Sequence, residues 1–442
     1  MRRSFSFFTI LFLILTIIPV EARQPEPKPR VIVMNDGEID DRSSMVRFLL
    51  YTNNVECLAI IQTNSVYQRS GWSSDKWIEE QIDAYEKVHP NLVIHDPSYP
   101  TADYLRSILL VGDEDEAHLL PGGWDSWNRF PGMEPLIDPS NWPDTPGSDR
   151  IVEILLEDDP GPVHIQAWGG GNTAIRAFDK LKAEHPDDYE RAVSKAMMYH
   201  IWYQDWAGNY IERHHPRVTM VLSYFFSGTW DYGSQRYTYQ FINDYVRNNH
   251  GPLGAQYPQD YISEGDSPAF LYSIANGLRS QENPTYGGWG GRFYNVFGNV
   301  YRDVSKGSYR KWVEYANRDF HARMQWCVAE RFEDANHHPV VEIAGGLDRT
   351  VKSGEEVVLE AKVSDPDDDR EFDQLRGLLW WHYQEAGTFK EMVETSNPRS
   401  TKISFIAPKV NQPETIHMIF QATDRGNPPL TTFQRVIITV VP

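Results

Sequence analysis

The chain has 442 residues, with 62 acidic against 42 basic side chains and a formal charge of −20. That balance, with no basic run to reverse it, argues against nucleic acid as a partner. The length suggests two or three domains, the ordinary apolar and charged fractions exclude a disordered chain, and two cysteines without Cys/His spacing exclude a zinc site.

Residues 1–22 read as a secretory signal. Arg2 and Arg3 form a basic start, Phe7 to Val20 an apolar run, and Val20-Glu21-Ala22 a small-residue cleavage site. The run is short for a bilayer span. The expected location is therefore secreted or periplasmic, with cleavage after Ala22 and no membrane span. Cys57 and Cys327 could pair in such a compartment, or remain buried free thiols in their apolar contexts.

From Arg30 onward, strand-like and helix-like segments alternate. Val31–Met34 is a continuous apolar strand and Asp40–Thr52 is helical in pattern. Val55–Ile61 is a second strand. Asp75–Val88 places Ile78, Ile82 and Tyr85 on one helical face. Val163–Trp168, the helix Thr173–Leu181 and the strand Ala196–Trp202 continue the alternation. Strands apolar on both faces, separated by helices, predict a mostly parallel sheet flanked by helices over residues 31–335. Ligands of such sheets bind at the carboxyl ends of the strands.

Residues 336–442 differ. VVEIAGG, EEVVLEAKVSD, LLWWHYQ, TKISFIAP, IHMIFQATD and QRVIITVVP alternate with period two, and turn residues separate them. They predict an all-β, immunoglobulin-like sandwich. His337-His338-Pro339 is the only junction, so close packing of the two domains is expected. On the Trp380-Trp381 strand one ring faces in and its neighbour out, the outer one docking on the first domain. SDPDDDREFD and ATDRGNPPL resemble Ca²⁺-binding sandwich loops, but solvated acidic loops are the simpler expectation.

The chemistry concentrates in MNDGEIDD, residues 34–41. Asp36 ends a strand, Gly37 permits a sharp turn, and Asp40 and Asp41 enter the first turn of a helix, where the macrodipole favours anions. Helix capping explains one of these carboxylates and leaves the others unexplained. A bound Ca²⁺, which takes six to eight oxygens, accounts for the crowd.

These residues resemble nucleoside hydrolases, which open with a strand and Asp-x-Asp-Pro-Gly-x-Asp-Asp. Here Met34 stands for the first Asp, and Gly37-Glu38 for Pro-Gly. Three further segments follow in order: LAIIQTNS with Asn64, IQAWGGGNTAI with Trp168 and Asn172, and SEGDSPAFLYSI with Asp266. With the signal, GGWGGR (Gly287–Arg292) and the sandwich, the whole is similar to secreted bacterial proteins with a nucleoside-hydrolase-like domain, some labelled cellulose-binding.

The resemblance implies roles. Asp36 would hold a Ca²⁺-bound water and act as general base. Asp41, Asp266 and the Trp168 carbonyl would join Asp36 as metal ligands. Asp40, Asn64, Asn172 and Asn209 would hydrogen-bond the substrate, although the spacing around Asn209 departs from the family pattern. Gly265 stands where nucleoside hydrolases often carry a His that helps the departing base. An O-glycoside would need another acid. His200, Asp205, Glu212, His214 and His215 lie together in sequence, and Asp205 is the preferred candidate. His214 and His215 most simply belong to a solvated turn, and Glu38, without a counterpart in the motif, is expected to face solvent. Gly169–Gly171 lacks the residues of a phosphate cradle and suits a tight turn or a close approach to ligand. Trp289 could stack on a sugar with Arg292 pinning a hydroxyl, or pack inward.

The expected function is an exported hydrolase of glycosyl bonds, acting on a saccharide from polysaccharide breakdown. A non-catalytic carbohydrate-binding protein on the same scaffold, and an extracytoplasmic nucleoside hydrolase, are the alternatives.

Overall fold

In the computed structural model, residues 27–119, 138–159, 161–230, 240–258, 263–367 and 377–442 are described. The expected signal, residues 1–22, and part of the SDPDDDREFD loop lie outside them. Among the described residues no helix is long and apolar enough to cross a membrane.

The first unit is an eight-stranded sheet. Its strands are β1 (Arg30–Asn35), β2 (Glu56–Gln62), β3 (Leu109–Val111), β4 (Val163–Ala167), β5 (Ala196–Ile201), β6 (Thr219–Ser223), β7 (Phe293–Phe297) and β8 (Val300–Asp303), in the order β3-β2-β1-β4-β5-β6-β8-β7. All neighbours run parallel except the terminal β7–β8 hairpin.

Every residue of β1 is buried. Val31 and Val33 join one core cluster, and Ile32 and Met34 the other. Period-two alternation thus feeds two cores, one on each face, which is why the strand reads as continuously apolar. The helices Ile39–Leu49, Trp77–His95 and Gly307–Trp326 cover one face; Pro146–Leu156 and Asn172–Glu184 cover the other. The second helix runs about two turns beyond its expected end, through Pro90 to His95.

The second unit holds β9 (Val340–Ile343), β10 (Asp348–Lys352), β11 (Glu356–Ser364), β12 (Leu378–His382), β13 (Lys402–Ile406), β14 (Glu414–Thr423) and β15 (Thr431–Val441). They form a sheet in the order β10-β15-β14-β12 facing a sheet in the order β13-β11-β9. β10, DRTVK, is too polar to stand out in the sequence; it forms by pairing parallel to β15.

The two units share a core. Trp380 packs inside the sandwich, whereas Trp381 turns outward to within 6.2 Å of the Trp312 ring. Phe433 meets Trp312 edge-on at 5.5 Å. Arg435 is fully buried and donates from its backbone to Gly277, from Nε to Leu278 and from Nη2 to Gly287, all carbonyls of the first unit. His337 stacks on Phe332 at 3.6 Å, so the junction is packed rather than loose.

Candidate functional site

The strand order fixes where a ligand can sit. From β1 the chain builds outward through β2 and β3, then returns to lay β4 on β1's other side. That reversal opens a crevice at the carboxyl ends of β1 and β4. Asp36 follows β1 directly. Trp168 and Gly169–Gly171 follow β4, and the Trp168 amide bonds the Met34 carbonyl at 2.9 Å. A Cβ at residue 169 would lie 2.7 Å from the Asp36 Cβ, and one at residue 170 would lie 2.4 Å from the Asn64 carbonyl. These glycines let the loop backbone press onto Asp36 and Asn64.

Into this crevice the helix Ile39–Leu49 delivers Asp40 and Asp41, and Asp266 stands at the start of the helix Ser267–Ser273. One carboxylate oxygen from each of Asp40, Asp41 and Asp266 lies within 4.8 Å of the others. Asp36, Asp41 and Asp266 are each 1 % exposed. Asp41 Oδ1 accepts the Asp36 backbone N–H at 3.1 Å, and Asp36 Oδ1 accepts that of Glu38 at 3.4 Å. The outer oxygens of Asp36 and Asp266 are buried with no hydrogen-bond partner.

Burial raises Asp36, with Asp41 and Ser65 hydrogen bonds pulling partly back. Burial and then the charges of Asp36, Asp266 and Asp40 hold Asp41 well above the carboxylate range. Asp266 is raised in the same way, by burial and then by Asp40 and Asp36. Such a set of buried, mutually repelling oxygens fits a hard cation such as Ca²⁺.

A family model described as cellulose-binding Sde182, nucleoside hydrolase-like domain, matches residues 30–293. The chain belongs to this family. A second model, cellulose-binding protein Sde0182, C-terminal domain, matches residues 356–440. A solved structure of a nucleoside hydrolase-related hypothetical protein from Saccharophagus degradans, described as associated with carbohydrate metabolism, is 28% identical. It aligns over 93% of this chain and 100% of its own, with a TM-score of 0.80. The comparison with curated proteins found no match.

Within this Sde182-type domain, several residues sit differently from expectation. Asp40 lies among the candidate metal ligands rather than apart from them. Glu38 does not face solvent. It is half-buried against the cluster, and burial followed by Asp36 and Asp40 pushes it up to about 8. The Trp168 carbonyl accepts a hydrogen bond from Gln204 Nε2, so the protein already engages this expected ligand.

Asn64 and Asn172 bond each other. Asn172 Nδ2 donates to Asn64 Oδ1 at 2.7 Å, Asn64 Nδ2 to the Arg69 carbonyl, and Asn172 Oδ1 accepts from Thr63. They frame the loop more than they offer groups to a sugar. Asp205, raised by burial to about 6, accepts the backbone N–H groups of Gly171 and Ala207. It ties the β4 and β5 loops together, a holding role rather than that of a free general acid. Asn209 lies half-buried in the helix Ala207–His214.

Trp289 is 3% exposed and belongs to the core shared with the sandwich. Arg292 is half-buried and acts electrostatically on Glu385 of the sandwich. GGWGGR is therefore no lip of the acidic crevice: Gly291 admits the Tyr309 ring, and Gly290 lets the loop press on the Pro268 carbonyl and the Tyr272 backbone. Gly265 has its own reason, since a Cβ there would lie 2.5 Å from Asp40 Oδ2. His215 is buried, bonded to the Tyr189 hydroxyl at 2.7 Å and 3.1 Å from Asp179, not in a solvated turn. His214 stacks on Tyr210 at 4.2 Å. Glu212 pairs with Arg302 at 2.5 Å, and His200 is buried beside Gly171. Asp424 of ATDRGNPPL is buried and accepts from Gly426, Leu430 and Asn336. Both cysteines are free and buried.

Three groups escaped the sequence reading. Ser65 lies beside the Asp36 carboxylate and favours its charged form. Arg47, fully buried, pairs with Glu264 at 2.7 Å and so holds the segment that carries Asp266. Its signal was a cation within the apolar run SSMVRFLL. Trp72 and Tyr67, 38% and 41% exposed, lie in the loop after β2, and a Cβ at residue 37 would lie 2.8 Å from the Trp72 Cβ. Trp72 thus puts an exposed ring beside the acidic turn.

Proposed function

We propose that this protein is an exported hydrolase of glycosyl bonds, acting on a saccharide released from a polysaccharide, with Ca²⁺ held in the acidic crevice. The observation that carries this reading is the buried cluster of Asp36, Asp40, Asp41 and Asp266 at the switch point of the sheet, with unpartnered oxygens on Asp36 and Asp266. A site for passive sugar contact has little need of such a cluster. Asp40, Asp41 and Asp266 would hold the cation, with Asp36 beside them. When bound, Ca²⁺ would supply a polarised, oriented water and balance the carboxylate charge.

Asp36 would take the proton of the attacking water as the anomeric carbon gains oxocarbenium character. Ser65 would favour the charged form of Asp36, and Arg47 with Glu264 holds the Asp266 segment in place. Trp72 and Tyr67 would stack on pyranose faces at the mouth. The cellulose-binding label of the family supports a saccharide as the partner.

A second reading, saccharide binding without turnover, draws on Asp205. With a backbone N–H group on each of its two oxygens, it is held in place rather than free to protonate a leaving group. The deciding experiment incubates purified mature protein and Asp36→Ala with Ca²⁺ against aryl glycosides, cello-oligosaccharides and nucleosides. Release of reducing sugar by the parent alone supports hydrolysis. Retention of saccharide by both proteins, without release, establishes the binding reading. Release from nucleosides alone moves the function to N-glycosides.

A further inference from the structure

The acidic crevice continues along the carboxyl edge of the sheet as a row of rings. Trp202 follows β5, Tyr224 and Phe225 follow β6, and the residues before them, Ile201 and Ser223, are register partners. In the strand order β1-β4-β5-β6, β5 and β6 stand two and three places from β1, about 10 and 14 Å along that edge. Phe226 joins the row to the acids. A Cβ at residue 265 would lie 3.3 Å from the Phe226 ring and 2.5 Å from Asp40 Oδ2, so ring and carboxylate meet over Gly265. The Trp202 ring lies 5.2 Å from that of Phe226 and 6.1 Å from that of Tyr224. Phe226 is buried, whereas Trp202, Tyr224 and Phe225 are half-buried and keep part of their surface open to solvent.

The backbone holds these rings in place against its own preference. Trp202 has a φ of 56°, a left-handed conformation that is an outlier for so bulky a residue and that marks functional sites more than cores. Its N–H bonds the Ser223 carbonyl at 3.0 Å. Asp303 Oδ2, buried, accepts the backbone N–H groups of Tyr224 and Phe225 and the Tyr309 hydroxyl. The row also selects its ligand. Residues 201–204 and 222–230 include no charged side chain, in a chain of net charge −20. Trp202 is tilted by 45° to Tyr224 and by 56° to Phe226, so neither pair clasps a flat nucleobase between parallel faces. Tilted apolar faces in succession suit the successive rings of a neutral saccharide chain.

We infer that Trp202 and Tyr224 form a subsite for the units of a neutral oligosaccharide that extend beyond the acidic cluster, an inference that rests on the saccharide reading above. The site then takes a chain rather than a single sugar or a nucleoside. Asp303 is a positioning residue of this subsite, acting through the β6 loop.

The test titrates the full mature chain, with Ca²⁺ present, against D-glucose, cellotetraose and adenosine, following heat. Parallel titrations use Trp202→Leu and Tyr224→Leu, which keep apolar bulk without a ring, and Tyr224→Phe, which keeps the ring. The parent should bind cellotetraose roughly tenfold more tightly than glucose. Trp202→Leu and Tyr224→Leu should each lose most of that gain, and Tyr224→Phe should keep it. Should Trp202→Leu fail to fold, the difference between Tyr224→Leu and Tyr224→Phe decides, since only the ring separates them. A gain that both leucine variants keep overturns the proposal, as does equal affinity for the two saccharides or no binding of either. Adenosine binding that the leucine variants lose, with no cellotetraose bound, overturns it in favour of a base subsite. Sugar-release assays on the same mixtures separate this inference from the hydrolase reading. Ring-dependent binding without release removes hydrolysis and leaves the subsite; release with ring-independent binding does the reverse.

Discussion

Two buried carboxylate clusters in this protein are built on opposite terms. At the crevice, Asp36, Asp40, Asp41 and Asp266 face one another; burial raises Asp36, Asp41 and Asp266, and the charges of neighbouring carboxylates raise Asp41 and Asp266 further. Between the units, Asp319 is just as buried. Burial there would also raise it, but Arg323 and His338 outweigh that and hold it well below the carboxylate range. The same side chain is thus completed by the chain in one place and left for an outside cation in the other. A carboxylate completed internally holds structure; one left incomplete is poised for a ligand.

The comparison can be broken hardest at Arg323. Arg323→Met leaves Asp319 buried without its counter-charge and should cost about 3–5 kcal/mol in urea unfolding. A loss below about 1 kcal/mol would show that Asp319 needs no partner. Next comes the cation. Adding Ca²⁺ to chelated protein at a hundredfold excess over Kd should stabilise it by about 2.7 kcal/mol, and Asp266→Asn should erase the gain. An equal gain in that variant would place the ion elsewhere.

The two clusters also predict opposite pH slopes. Crevice carboxyls have folded values above their unfolded ones of about 4, so the folded state binds more protons. In chelator, stability should therefore fall as pH rises from about 4 through the Glu38 value of about 8. Asp319 has a folded value below its unfolded one. Its contribution is complete above about 4 and is lost as pH drops below that. Glu38→Gln should flatten the alkaline fall by about 1 kcal/mol, since Glu38 is only partly shielded from water. A Tm–pH profile in chelator identical to the parent's would remove Glu38 from the cluster. The smallest effect is expected from Trp72→Ala: stability within about 0.5 kcal/mol, yet weaker retention of oligosaccharide on an affinity gel.

Much of the first unit was legible because its strands carry two-sided apolar runs and its helices a clear period. MNDGEIDD also announced itself, since crowded carboxylates demand a reason. Asp266, far along the chain, came into view only through the resemblance. The orientation of side chains was not legible. Whether Glu38 turns in or out depends on the fold of the β1 turn against Trp72. Trp289 and Arg292 face the sandwich because of residues far downstream, β15 for Trp289 and Glu385 for Arg292. Asp205 looked like a free acid because backbone donors leave no mark in a sequence. β10 went unseen because pairing, not its own composition, makes it a strand.

Arg435 carries a consequence for how the molecule is made. It is fully buried and hydrogen-bonded to Gly277, Leu278 and Gly287, while Phe433 covers Trp312 and Tyr315. The first unit is synthesised long before these residues exist. Until then three carbonyls lack their donor and two large rings lack their cover, a state prone to wrong association. A strand made 148 residues after Gly287 finishes the surface begun by the first domain. Native packing of that domain therefore waits until β15 has been made.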